Sequence, residues 1–272
     1  MSLFALLLST SFLVSFIPAV ILLHRIGVMV HEYIHGIPFR RYRNNLRVLA
    51  LIDGLTLSFG LFEFFRVTHL HHHRWLNSPG DSTFDNAQAA AARRRVAAAL
   101  GKAKTHLWEY AQALLGKHTY VRADQTIFGA VGSIFWIGVW LMIDRPDVIL
   151  KLVIFTTFTS VAPVSLRRTV EHYAEPGNPG FANEYQVLIP LFNINRHIHH
   201  HENPRVPWYA LQYRTPALLP WHAYISYWFR AHVRGDLVLM RPMAPVAAST
   251  EATPRMDNSA HALHHTPRSS DN

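Results

Sequence analysis

Residues 3–23 carry no charged side chain. As a helix they would reach about 30 Å, the thickness of a bilayer core. Two further apolar runs cover residues 127–143 and 148–166, the second interrupted only by Lys151. Between them Asp144-Arg145-Pro146-Asp147 makes a short polar turn. These runs constrain the fold more than any other feature. They predict three membrane-spanning helices, the last two forming a hairpin. The first run lacks a basic start and a small-residue cleavage site, so it reads as a retained span rather than a signal peptide. Composition agrees: half of the 272 residues are hydrophobic and only 16% are charged, against about a quarter in soluble domains. A disordered chain and an ordinary soluble enzyme are both excluded.

Residues 48–65 are also apolar but contain Asp53, Gly54, Gly60 and Glu63. An unpaired carboxylate at the bilayer centre costs roughly 2.5–3.5 kcal/mol, so this stretch reads as a re-entrant or interfacial helix pair. Of the 26 lysines and arginines, 14 lie between Arg25 and Thr126 and ten follow Leu166, leaving Arg145 and Lys151 at the hairpin turn. By the positive-inside rule the two large polar segments face the cytoplasm and the turn faces out. Residues 85–117 are rich in alanine and carry Arg93, Arg94, Arg95, Lys102 and Lys104. They read as a helix lying on anionic headgroups; no nucleic-acid partner is expected. Residues 243–272 have the composition of a disordered tail. The expected organisation is one membrane domain over 1–242, followed by that tail. His261, His264 and His265 of the tail receive no role.

The chemistry lies in histidine. The chain has 19 histidines and no cysteine, which removes disulfides, thiolate metal sites, iron–sulfur clusters and a cysteine nucleophile. Three clusters stand out: His31-Glu32-Tyr33-Ile34-His35, His69-Leu70-His71-His72-His73 and His197-Ile198-His199-His200-His201. Residues three or four apart share a helix face. So His31 and His35, then His69, His72 and His73, then His197, His200 and His201 can each converge. His172, in Arg167-Arg168-Thr169-Val170-Glu171-His172, is a ninth candidate directly after the hairpin. Imidazole suits iron, zinc, copper and nickel. This many imidazoles exceed the needs of one ion with an open site and fit two metals. Two irons can split dioxygen and attack an unactivated C–H bond. To share a centre all clusters must meet on one membrane face, so residues 48–65 must not cross.

The chain resembles the membrane fatty acid desaturase and hydroxylase superfamily. The order His-x-x-x-His, His-x-x-His-His, His-x-x-His-His matches it. So does the third box, Asn195-Arg196-His197-Ile198-His199-His200-His201-Glu202-Asn203-Pro204-Arg205-Val206-Pro207-Trp208-Tyr209. The resemblance runs from about Val28 to Leu211. It implies an all-α integral membrane protein of about three transmembrane helices plus the re-entrant or interfacial segment. A cytosolic helical cap would hold a di-iron site on His31, His35, His69, His72, His73, His172, His197, His200 and His201. The cofactors implied are two iron ions with dioxygen as co-substrate. The implied partners are a lipid or acyl substrate in the membrane and a separate electron donor of the ferredoxin or cytochrome type. The ligand set serves both reactions of the superfamily: desaturation, favoured by the third box, and lipid, alkane or carotenoid hydroxylation or ketolation. Glu32 in the first box is closer to alkane hydroxylases. It also makes His31-Glu32-x-x-His35 a zinc-peptidase motif, with Asp53 as a third ligand. His71 and His199 fall off the shared spacing. Asn195, Glu171, Asp81 and Asp85 are candidates to orient imidazole N–H groups. Trp75, Trp208 and Tyr209 are expected at the membrane interface.

Overall fold

Ser11 breaks the first apolar run. Its backbone is extended, and its Oγ accepts the N–H of Val14 at 3.3 Å, so a helix begins after it. In this computed structural model, which describes residues 7–8, 11–78, 81, 120–187 and 193–243 (and no side chains over 161–165), helix α1 runs Phe12–Ile34. The expected span over 3–23 is therefore corrected. The helix starts later and continues through His24 and Arg25, because nothing there opposes helical backbone. It stops at Gly36, whose φ is +73°. The N–H of Gly36 bonds the carbonyl of Tyr33, and that of Ile37 bonds Glu32, at 3.1 Å each. That pairing is a Schellman closure, which needs a left-handed residue. Box one thus occupies the last turn of α1.

Residues 48–65 form no single span. Helix α2, Tyr42–Leu55, and helix α3, Leu61–Trp75, are joined by a turn in which Leu57, Phe59 and Gly60 all have positive φ. Asp53 explains the carboxylate in the apolar stretch. Its two oxygens accept the N–H groups of Gly60 (2.5 Å) and Phe62 (2.8 Å), which are orphan donors of the first turn of α3. The expected helix pair is present, and α3 returns to the end of α1.

Helices α4, Ala123–Met142, and α5, Pro146–His172, form the expected hairpin, turning at Asp144 with φ +54°. Pro146 opens α5, where a missing N–H costs nothing. Lys151 is buried yet satisfied, donating to the Leu7 carbonyl (3.0 Å) and the Asp147 carboxylate (3.1 Å). Small residues let α2 and α4 touch: a Cβ added to Gly54 would stand 3.0 Å from Gly132 Cα, and one on Gly129 2.7 Å from Asp53 Oδ1. Leu23, Leu57, Trp140, Leu152 and Phe155 fill the middle of the bundle, and Val30, Ile34, Leu46 and Leu49 the space nearer the boxes.

Among the described residues two helices, Phe12–Ile34 and Ala123–Met142, are long and apolar enough to cross a membrane. Their outer faces are apolar: Leu13 is 83% exposed, Phe135 60% and Met142 80%. After α5, strand β1, Tyr173–Ala174, pairs antiparallel with β2, Val238–Leu239, a small departure from an all-helical fold. Helix α6, His197–Glu202, carries box three. Helix α7, Ala223–Phe229, continues into a π-helical turn at Arg230–Arg234 and packs on α5. The amphipathic helix expected over 85–117, Asp85 and the tail from residue 244 lie outside the described residues.

Candidate metal centre

All three boxes and His172 come together at the ends of α1, α3, α5 and α6. The nine expected histidines form two groups: His31, His35, His69, His73 and His200 in one, and His72, His172, His197 and His201 in the other. Within each group one ring nitrogen from each histidine lies within 4.8 Å of those from the others.

The second and third boxes are each divided between the groups while the first stays whole, and helix geometry explains the division. At about 100° per residue, positions i and i+4 diverge by about 40°, whereas i+3 lies about 60° to the other side. Each i,i+4 pair therefore stays together: His31 with His35, His69 with His73, His197 with His201. The i+3 residues, His72 and His200, turn to the opposite group.

Contacts within the groups run nitrogen to nitrogen. The Nε2 atoms of His35 and His69 are 3.0 Å apart, those of His69 and His73 3.1 Å, and those of His73 and His200 3.0 Å. In the second group His197 Nε2 lies 3.0 Å from that of His172 and 2.9 Å from that of His201. His31 completes the first group, its ring centroid 4.4 Å from that of His200, and His72 the second, 4.8 Å from His172.

Burial holds these rings neutral. The pKa of His35 falls to about 3, through burial first and the charge of Arg205 second. His69, His73, His197, His200 and His201 are pushed well below the usual histidine range, by burial and then by neighbouring imidazoles. Neutral imidazole is the form that binds metal. The spacing also fits an ion: two ligands at right angles on bonds of about 2.1 Å stand about 3.0 Å apart. Converging neutral nitrogens without a carboxylate in either group suit iron, zinc, copper or nickel. The close contacts inside each group are all made by Nε2 atoms, so Nε2 is the nitrogen that these rings turn toward one another.

The surrounding residues sort by what they touch. Asp81 Oδ2 lies 2.8 Å from His72 Nδ1 and also accepts the N–H of Asn77, as expected of a carboxylate that orients an imidazole. Asn195 does something else: its amide donates to the Tyr185 carbonyl (2.7 Å) and the Tyr213 hydroxyl (2.6 Å), bracing the start of α6. His199 belongs to neither group and accepts the Gln212 N–H at 2.9 Å. His71 is likewise outside both and packs on Tyr120. Glu171 is buried, with one oxygen 3.5 Å from His197 Nε2 and the other taking a 2.8 Å hydrogen bond from Tyr185. Tyr185, completely buried, is a residue that no sequence pattern flagged. The peptidase arrangement is not assembled. Asp53 is engaged in capping α3, and His31 and His35 share their group with three histidines from other boxes.

The family model described as fatty acid desaturase matches residues 7–231, and the chain belongs to that family. No curated protein and no solved structure matches it. Membership makes the chain an oxidoreductase of the desaturase or hydroxylase type. The family and the two apolar helices together point to membrane association.

Proposed function

We propose that this protein is an integral membrane, di-iron desaturase acting on a fatty acyl or related lipid chain. The observation that carries the reading is the pair of neutral imidazole groups, five and four, spaced as ligands around two ions. His31, His35, His69, His73 and His200 hold one iron, and His72, His172, His197 and His201 the other. When bound, the two irons supply reduction of dioxygen coupled to removal of hydrogen from an unactivated carbon.

The chain's own residues arrange that chemistry. Asp81 fixes the ring of His72 by accepting from its Nδ1. The packed ends of α1, α3, α5 and α6 keep water from the imidazoles, which keeps them unprotonated. Desaturation takes two vicinal hydrogens, so one dioxygen becomes two waters with two electrons and two protons added. The chain has no cysteine to hold a cluster of its own, and the electrons come from a separate ferredoxin- or cytochrome-type donor. The match of the third box favours removal of two hydrogens over insertion of oxygen.

In the membrane, α1, α4 and α5 span, α2 and α3 enter and leave on one side, and the histidine site faces the cytoplasm. The exposed apolar faces of α1 and α4 support the spanning of these two helices, since lipid would cover them, and the excess of Lys and Arg outside the hairpin turn supports the cytoplasmic side for the histidine site. The test is product analysis. The protein is supplied with labelled lipids, reductant and isotopically heavy dioxygen. A product lacking two hydrogens and free of heavy oxygen is expected; heavy oxygen in the product would make the enzyme a hydroxylase.

A further inference from the structure

Nine neutral imidazoles bring no negative charge to two cations, so the carboxylates around them bear on how the ions are held. Most described buried carboxylates have a structural partner. Glu63 pairs with Arg66 through two bonds of 2.6 and 2.7 Å. Asp53 caps α3. Glu184 accepts the N–H groups of Arg214 and Thr215 at 2.7 and 3.0 Å. Glu32 lies 4.0 Å from His31 Nδ1 and accepts the Trp208 N–H at 3.4 Å. Asp81 Oδ2 meets His72 at Nδ1 and accepts the Asn77 N–H.

Glu171 differs in the nitrogen it faces. Its Oε2 is 3.5 Å from His197 Nε2, the atom that also lies 3.0 Å from His172 Nε2 and 2.9 Å from His201 Nε2. That is the side on which the four-histidine group converges. A carboxylate that merely oriented His197 would meet its Nδ1, and that atom is buried with no partner. The other oxygen, Oε1, is pinned by the Tyr185 hydroxyl at 2.8 Å, with the Arg167 Nε at 3.6 Å. One oxygen is thus held by protein donors while its twin is directed at the group with one imidazole fewer.

We propose that Glu171 is the fifth protein ligand of the ion held by His72, His172, His197 and His201, binding through Oε2, with Tyr185 positioning the carboxylate through Oε1. The inference rests on reading the two histidine groups as metal sites. It makes the two ions unlike: one in an all-imidazole shell, the other with an anionic ligand that favours the higher charge state.

The test is anaerobic titration of the metal-free, full-length protein with isotopically enriched ferrous iron, read by bound metal and Mössbauer spectra. Wild type should bind two irons giving two distinct signals. Glu171→Gln keeps the shape of the side chain but weakens one iron at least tenfold, leaving the signal of the other unchanged. Tyr185→Phe should keep two irons and shift the signal of one alone. Two irons bound by Glu171→Gln with wild-type affinity and spectra would overturn the assignment. Should that variant fail to fold, Tyr185→Phe decides: an unaltered spectrum overturns it and a one-site shift supports it. Failure of wild type itself to bind two irons would instead remove the metal-centre reading on which the assignment stands.

Discussion

Asp81→Asn offers a sharp perturbation of the centre, because it changes one charge behind one ring. The carboxylate accepts from His72 Nδ1 at 2.8 Å and from the Asn77 N–H at 3.1 Å. Asparagine can keep the backbone contact but loses the charge-assisted bond to the imidazole. Removing a carboxylate that orients a metal-bound histidine weakens metal binding by about 10–100-fold. That is about 1.4–2.7 kcal/mol, in line with the roughly 1.5–3 kcal/mol carried by a hydrogen bond to a charged group. The structure also says where the loss falls. His72 groups with His172, His197 and His201, whereas its box neighbours His69 and His73 belong to the other group. Competition of ferrous iron against a calibrated chelator, under anaerobic conditions, should therefore find one of two sites weakened by one to two orders of magnitude and the other unchanged. Equal weakening of both sites would show that the histidines are not divided as described. No weakening would show that Asp81 does not support a ligand.

Acid should destabilise the metal-free protein. His35, His69, His73, His197, His200 and His201 are held below their ordinary value of about 6.5 in the fold. Below that pH the unfolded chain takes up protons that the folded chain refuses. Each such histidine then costs up to about 1.4 kcal/mol per pH unit, for His35 down to about pH 3. Unfolding measured in detergent should be flat above pH 7 and fall steeply below 6.5; unchanged stability down to pH 5.5 would contradict the burial of neutral rings. Gly60→Ala should cost about 2–5 kcal/mol, since an added Cβ would lie 2.5 Å from the Thr126 carbonyl oxygen at a φ of +86°. Gly138→Ala, with nothing within 4 Å, is its control in thermal unfolding. Topology is open to single-cysteine labelling in a chain without natural cysteines. The exposed positions Arg43 and Arg74, replaced by cysteine, should be protected from an impermeant reagent in intact cells, and Asp144→Cys should react. Labelling of Arg43→Cys but not Arg74→Cys would place the first two boxes on opposite faces.

Local signals carried much of this fold. The polar turn at Asp144 and Pro146 marked the hairpin, and the carboxylate at Asp53 together with Gly60 marked the helix pair. Histidine spacing marked eight of the nine residues that assemble, and the position of His172 just after the hairpin marked the ninth. The break at Ser11 escaped because hydropathy does not register a helix cap; the run Ser9-Thr10-Ser11 was its only trace. The extension of α1 through Arg25 escaped because a charge ends an apolar run without ending a helix. The division of the second and third boxes was latent in the difference between i+3 and i+4, but which group each face meets depends on how α1, α3, α5 and α6 pack. The pairing of Tyr173 with Leu239 and the contact of Tyr185 with Glu171 join residues with no common sequence pattern. Only the folded chain brings them together.

The central claim is that the protein holds two irons, one on each histidine group, and metal stoichiometry tests it most directly. Protein purified anaerobically with iron should contain two irons per chain. His73→Ala and His201→Ala should each lose one, from different groups, since these residues belong to the five- and four-histidine sets respectively. The double variant should lose both. A single zinc per chain with no iron, or two irons retained in either single variant, would contradict the account.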